Sequence, residues 1–279
     1  MKLLITGSNG YLGKRLVNHL LNKHDLILPI RNNSQNLSDN LRKNLFFYRD
    51  YVELRKIFLE TKPDIILNTV AKYGRNDETF DDLVEANLTY PIRIFEFAME
   101  SNSKFINIGS ALPENTSAYA LLKNTFVKLI NLRDSPNFIN LKVEHFYGSN
   151  DVETKFINYV FENCIKNNEI ELTSCDQIRD FIYIKDLVLA INVIIDNVDY
   201  NSHNEFEIGS GVGYLLKDVI STIHTVTQST SKLKFGVIDK RKNEPMESIA
   251  DISKISELGW KPNYSFESGI KEMYKNRIS

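Results

Sequence analysis

The chain has 279 residues, of which 42 % are hydrophobic and 25 % charged. That is apolar enough to build a core and excludes wholesale disorder. Its 34 basic and 36 acidic side chains leave a net charge of -2, which excludes a nucleic-acid binder acting through bulk charge while leaving room for a local phosphate site. Two cysteines, Cys164 and Cys175, cannot form a disulfide framework. The five histidines are scattered without an HExxH pattern, so no metal centre is expected.

Lys2 to Thr6 is a short apolar run, as expected of a strand buried on both faces of a parallel sheet. The run is too short for a signal peptide. No stretch approaches the ~20 apolar residues needed to span a bilayer, so a cytoplasmic location is expected. Glycines follow at Gly7, Gly10 and Gly13, and then Leu12, Leu16, Val17, Leu20 and Leu21 recur at helical spacing. Leu26 to Ile30 is a second strand, completing a βαβ unit. Residues 31 to 47 are rich in Asn and Ser and read as a solvated loop, ending in a buried-looking Phe46-Phe47-Tyr48 strand. Val52 to Glu60 reads as helix and Ile65 to Val70 as strand. A long amphipathic helix is expected over 80–101, a strand over Phe105 to Ile108, a helix over Ser117 to Leu132 and a strand over Phe138 to Val143. This alternation predicts an α/β fold, a Rossmann-type doubly wound parallel sheet with helices on both faces.

Beyond residue 150 the pattern changes. Helices are expected near 154–167, 185–197 and 215–227, and strands near 170–173, 205–208 and 233–238. The expected organisation is a dinucleotide-binding domain over 1–150 and a smaller C-terminal α/β substrate lobe over 151–279, with a segment near 176–200 returning to the first domain.

The first turn reads TGSNGYLG from Thr6 to Gly13. Two glycines let the backbone turn tightly against a pyrophosphate, the third lets helix and strand pack closely, and the helix N-terminus offers free N–H groups. Gly7, Asn9, Gly10, Tyr11 and Leu12 are therefore expected to bind a dinucleotide. The second strand ends in Ile30-Arg31-Asn32-Asn33, with no acid before Asp39 to hold a ribose hydroxyl. Arg31 instead suits a 2′-phosphate, which favours NADPH (NADP) over NADH. Asp50 is placed to accept from an adenine amino group.

Tyr119 and Lys123 lie four residues apart on one helix face. An ammonium near a phenol favours the phenolate and makes the tyrosine a usable acid–base at neutral pH. Ser110, at the end of the Phe105 to Ile108 strand, is expected to hydrogen-bond the same substrate oxygen. Tyr119, Lys123 and Ser110 form the expected catalytic set.

On these motifs the chain resembles the extended, sugar-nucleotide branch of the short-chain dehydrogenase/reductase superfamily (the NAD-dependent epimerase/dehydratase family). The resemblance spans nearly the whole chain: TGSNGYLG, LNTVAKYGR from Leu67, EANL around Asn87, YALLK at Tyr119, LKVEHFYG from Leu141, RDFIYIKDL from Arg179 and LGWKP from Leu258. It implies cofactor contacts from Ala71 and Asn87, and from Tyr119 and Lys123 themselves. One feature departs from the branch. Only eight residues separate Ser110 from Tyr119, where relatives have a longer loop, so Thr116 and Ser117 stand as alternative hydroxyls.

AKYGRN, GSALPENTSAY, EHFYGSND and FGVIDKRKNEP are most similar to the branch's reductases of CDP-linked 4-keto-3,6-dideoxyhexoses, whose products enter bacterial O-antigen lipopolysaccharide. That resemblance implies a nucleotide-sugar substrate. Arg179 and Arg241 would then meet its pyrophosphate, and His145, Tyr73 and Arg75 its sugar. A homodimer through the helices at 80–101 and 117–132 is also implied; no nucleic-acid or membrane partner is expected. Two rival readings are a 4-epimerase or 4,6-dehydratase of the same fold, and a cofactor-sensing protein without catalysis. A dehydratase wants an acid–base pair beside the catalytic serine, where this chain has Ala111-Leu112-Pro113. A sensor has no need of Tyr119 and Lys123 at this spacing.

Overall fold

The computed structural model describes residues 1–31, 39–75, 77–133, 137–198 and 205–278; most of the Asn/Ser-rich loop read from residue 31 lies outside them. In chain order the first elements are β1 (Lys2–Thr6), α1 (Tyr11–Leu20), β2 (Asp25–Ile30), β3 (Leu45–Phe47), α2 (Tyr51–Thr61), β4 (Ile65–Asn68), α3 (Phe80–Val84), α4 (Tyr90–Glu100), β5 (Lys104–Ile108), α5 (Ala118–Asn131) and β6 (Phe138–Val143). They are followed by β7 (His145–Tyr147), α6 (Phe156–Ile165), β8 (Ile170–Glu171), β9 (Ile178–Tyr183), α7 (Ile184–Asn197), β10 (Glu205–Ile208), β11 (Gly213–Leu215), α8 (Leu216–Val226), β12 (Leu233–Lys234), β13 (Glu247–Ser248), α9 (Ser253–Glu257) and α10 (Phe266–Ile278).

The chain forms two compact units. The first comprises Met1–Ser110, Ser117–Lys142 and Ile195–Phe206; the second takes Ala111–Thr116, Val143–Ile194 and Glu207–Ser279. The main boundary between these compact units falls at 142/143, with 195–206 grouped in the first; the sequence reading expects a boundary at 150 and a returning segment near 176–200.

Unit 1 is built on a seven-stranded sheet ordered β10-β6-β5-β4-β1-β2-β3. Every pairing from β6 across to β3 is parallel. Strands such as LLIT and IILN are buried on both faces, as crossover helices require of a parallel sheet. Phe95 of α4, Phe105 of β5, Phe126 of α5 and Phe138 of β6 interlock with ring centroids 5.7–6.3 Å apart. This cluster seats α5 on the sheet and so fixes the helix that carries Tyr119.

The long helix expected over 80–101 is interrupted. Between α3 and α4, Glu85–Thr89 form a π-helical turn, a one-residue insertion of the kind found at functional positions. β3 is the edge strand, with Phe47 exposed rather than buried, while Tyr48 beyond it is covered. The strand expected over Ile65 to Val70 stops at Asn68.

A polar row crosses the sheet from β1 to β10. Thr6 donates to Asn68 (2.8 Å), Asn68 to Asn107 (3.0 Å), Asn107 to Asn140 (2.9 Å) and Asn140 to Glu205 (3.0 Å). Each asparagine pairs in register with the next strand's residue, so each buried amide has its partner within the sheet.

In unit 2, β9 pairs with β11, β13 and β7. Asp180 of β9, fully buried, accepts from Ser210 N and Oγ, Gly211 N and Ala250 N. Asp186 of α7 accepts from the backbone of Asn263 and Tyr264, so it holds the C-terminal segment. Of the strand expected over 233–238, only Leu233–Lys234 pairs, with β8.

Candidate active site

The glycine turn leaves β1 through Gly7, whose φ of +72° suits glycine and where a Cβ would lie 2.7 Å from Thr69 Oγ1. A Cβ on Gly13 would fall 2.1 Å from the Gly7 carbonyl oxygen, so α1 can approach β1 this closely only without a side chain there. Gly10 caps α1 with no side-chain hydrogen bond, and no acid occupies the first turn. The helix thus begins with N–H groups that no acidic side chain of its own first turn shields, an arrangement that fits the pyrophosphate of a dinucleotide. Leu12 is buried, Tyr11 half-buried and Asn9 exposed. Arg15, which the sequence reading missed, lays its guanidinium 3.5 Å from the Tyr11 ring centroid and donates to the Tyr11 carbonyl at 2.9 Å.

Arg31 follows β2 with its side chain 55 % exposed, and its guanidinium meets the Glu85 carboxylate at 3.3 Å. Glu85, on the π turn, also accepts from the Tyr51 hydroxyl at 2.5 Å. Burial, and then this carboxylate, hold the Tyr51 phenol well above its ordinary range. Arg31 therefore already has an acidic neighbour, 54 residues away in sequence, which no local pattern could reveal. Asp50 accepts from Val52 N and Glu53 N, both at 2.9 Å, as the N-cap of α2; its visible work is structural. Asn87, buried within the π turn, accepts from Lys72 N at 3.3 Å and donates to Lys72 O at 2.8 Å, holding the segment after β4 beside Ala71.

Ser110 lies just beyond β5, and Tyr119 in the first turn of α5. The hydroxyls of Ser110 and Tyr73 both hydrogen-bond the Tyr119 phenol. The Tyr73 and Tyr119 rings sit 4.8 Å apart at 38°. Burial pushes the Tyr119 phenol up to about 12, against which these two hydrogen bonds act. The alternative hydroxyls are spent locally: Thr116 donates to Pro113 O, and Ser117 accepts from Ala120 N as the cap of α5. Lys123, 2 % exposed, donates to the carbonyls of Val70 (3.1 Å) and Ile108 (2.9 Å). Burial lowers its ammonium to about 8. Lys123, expected to acidify the phenol, is anchored to the end of β5 and to the segment just beyond β4, while the Ser110 and Tyr73 hydroxyls favour the phenolate.

The remaining substrate candidates lie in two places. Tyr73 and Arg75 follow β4 in unit 1, with the Arg75 guanidinium 5.9 Å from the Tyr73 ring centroid. In unit 2, His145 of β7 is partly exposed, its Nδ1 3.4 Å from the Glu144 carboxylate. Arg241 is exposed. Arg179 is buried and donates to Ile178 O at 2.8 Å, Pro245 O at 2.5 Å and Glu244 at 3.3 Å. Its guanidinium serves internal partners where the sequence reading expected a pyrophosphate.

A glycine turn opening the first helix of a parallel sheet, with serine, tyrosine and lysine gathered at the ends of its central strands, defines a dinucleotide-dependent oxidoreductase of the extended short-chain dehydrogenase/reductase type. The chain matches the NAD dependent epimerase/dehydratase family over residues 3–209 and belongs to that family. It is similar to the CDP-abequose synthase of Salmonella muenchen, with 30 % identity over 285 residues that cover 98 % of this chain and 96 % of that protein. With the CDP-abequose synthase of Salmonella typhimurium (strain LT2), identity is 28 % over 292 residues, covering 98 % and 97 %. Among solved structures, the UDP-glucose 4-epimerase of Thermotoga maritima with UDP-glucose superposes with a TM-score of 0.85 at 21 % identity, covering 100 % of this chain and 99 % of that one. These likenesses make the chain an enzyme of this superfamily, and the superposition shows the shared fold.

Proposed function

We propose that the chain reduces the C4 keto group of a CDP-linked 4-keto-3,6-dideoxyhexose with NADPH, as a CDP-paratose synthase does. The observation that carries this reading is the Ser110 hydroxyl on the Tyr119 phenol in unit 1. Full-length likeness to two CDP-abequose synthases supports the CDP-linked sugar. Those relatives also favour a second reading, the abequose configuration at C4.

Gly7, Asn9, Gly10, Tyr11 and Leu12 would hold the pyrophosphate of the cofactor, Arg31 its 2′-phosphate and Asp50 its adenine; Ala71, Asn87, Tyr119 and Lys123 would line the nicotinamide half. When bound, the reduced nicotinamide supplies a hydride. Ser110 and Tyr119 hydrogen-bond the keto oxygen and stabilise the charge that develops there. Tyr119, held protonated across the neutral range by its raised value, gives its proton to the alkoxide. Lys123 orients the nicotinamide ribose from its anchor on Val70 and Ile108. Tyr73 and Arg75 would face the sugar, with His145; Arg241 would meet the pyrophosphate of the substrate, a role Arg179 would share only by leaving Glu244.

Ala111-Leu112-Pro113 after the serine offers no acid–base pair for a 4,6-dehydratase. Exposed Met99, Leu121, Leu129 and Leu132 on α4, α5 and the residue after α5 support a homodimer through these helices. Among the described residues no helix is long and apolar enough to cross a membrane, and a cytoplasmic location is proposed.

The test is incubation with NADPH or NADH and a panel of 4-keto nucleotide sugars, with product configuration read by NMR. Stoichiometric NADPH consumption with a CDP-linked substrate is expected; cofactor that is recycled rather than consumed would point to an epimerase. Tyr119→Phe is expected to keep NADPH affinity and lose turnover by about 10³-fold. Near-normal turnover in that variant would sink the mechanism.

A further inference from the structure

Tyr73 is a second phenol that the mechanism above leaves without a proton to move. Tyr119 must be reprotonated after each turnover. Its intrahelical neighbour Lys123 is buried, with its ammonium directed to two main-chain carbonyls. Tyr73, by contrast, sets its ring 4.8 Å from that of Tyr119, with its hydroxyl on the Tyr119 phenol, and keeps 39 % of its surface exposed.

The segment bearing Tyr73 is also built to hold it. The Glu78 carboxylate accepts from the backbone N–H groups of Tyr73 (3.1 Å), Gly74 (2.9 Å) and Arg75 (3.2 Å). One residue earlier, Asn87 grips both backbone groups of Lys72, and the Lys72 ammonium pairs with Asp82 at 2.7 Å. Three amides on one carboxylate fix a turn far more tightly than a solvated loop. The Arg75 guanidinium near the Tyr73 ring favours transient negative charge on that phenol.

We propose that Tyr73 is the residue through which Tyr119 recovers its proton from solvent, and that Glu78 positions it for this by clamping the turn after β4. The proposal rests on the carbonyl-reductase reading. The carbonyl carbon takes the hydride of a reduced nicotinamide, and the resulting alkoxide takes the proton as the Tyr119 O–H bond breaks. The Tyr119 phenolate then takes the proton of the Tyr73 hydroxyl. The Tyr73 phenolate is reprotonated by water at its exposed side, and the hydroxide left behind is neutralised by buffer.

Tyr73→Phe keeps the ring and removes the hydroxyl. With NADPH and the accepted 4-keto sugar, kcat is expected to fall about tenfold while both KM values stay within about twofold. The solvent deuterium isotope effect should grow, and kcat should become dependent on buffer concentration, as it is not in the wild type. Glu78→Gln should show the same changes in smaller measure. A substrate-independent arm uses the ligand-free protein labelled at tyrosine Cζ, with the Tyr119 resonance assigned by its loss in Tyr119→Phe. There Tyr73→Phe should move the Tyr119 titration upward by about half a unit or more. An unmoved titration overturns the phenol pair. A moved titration with unchanged kcat, isotope effect and buffer dependence overturns the relay and leaves only packing. A wild-type protein inert toward every 4-keto sugar, with the titration shift present, sinks the reductase reading and the relay with it while leaving the phenol pair standing.

Discussion

Within unit 1, Thr6, Asn68, Asn107, Asn140 and Glu205 pass hydrogen bonds from strand to strand, whereas in unit 2 Asp180 and Asp186 each gather donors from distant segments. A parallel sheet repeats its geometry from strand to strand, so small amides at matched register satisfy one another, and a carboxylate is met only at the end of the row. The segments gathered in unit 2 have no such repeat. A carboxylate can accept from several directions, and burying one is tolerable only when many N–H groups meet it. Even so, burial outweighs the four donors and leaves the Asp180 carboxyl raised above its usual range. The proposed chemistry lies with the repeating geometry: Ser110 follows β5, and Lys123 of α5 donates to the carbonyl of Ile108 at the end of that strand.

Asp180→Ala strands the N–H groups of Ser210, Gly211 and Ala250 together. A loss of about 4 kcal/mol is expected, read by urea unfolding, with faster hydrogen exchange at those three amides. A loss below about 1 kcal/mol would show that these segments do not depend on a point anchor.

A somewhat smaller effect is expected at Lys123, the buried ammonium of the proposed catalytic set. Its folded-state value, lowered from 10.5 to about 8, means that the native protein carries an unfavourable buried charge below pH 8. That penalty is relieved as pH rises from about 8 to 10.5. The wild type should therefore gain about 3 kcal/mol over this window, a gain absent from Lys123→Met in urea unfolding at stepped pH. Tyr119 touches only the top of this window: its value is raised to about 12 from 10.0, so its contribution is intact below pH 10 and is lost between pH 10 and 12, and being present in both proteins it cancels in their difference.

The mildest change is Asn107→Ala, which leaves an amide of Asn68 and a carbonyl of Asn140 unmatched at the middle of the row. A loss of about 2 kcal/mol is expected, with the parallel register retained because the apolar faces of β4, β5 and β6 specify it. A collapse of the fold in this variant would mean that the row, rather than the apolar faces, sets the register.

Features carried by short stretches of chain were legible without the structure. The order of strands and helices in unit 1 follows from apolar runs and helical spacing, and the glycine turn from residues 7 to 13 lies where β1 meets α1. Ser110, Tyr119 and Lys123 come from one strand end and one helix face. The π turn at Glu85–Thr89 was hidden, because the apolar pattern through Leu83, Leu88 and Ile92 reads the same with or without an inserted residue. The two-residue β12 was overread, because Phe235, Val237 and Ile238 are apolar yet exposed.

Periodicity and spacing within a single turn were enough to read the doubly wound sheet and the glycine turn, and to single out Tyr119 as the proposed acid–base. The partners emerge only from folding: Tyr73 on Tyr119, Glu85 on Arg31, backbone carbonyls on Lys123 and Glu244 on Arg179. These contacts join residues 15 or more positions apart, and their strength depends on burial and direction. Neither quantity exists until the chain has closed on itself.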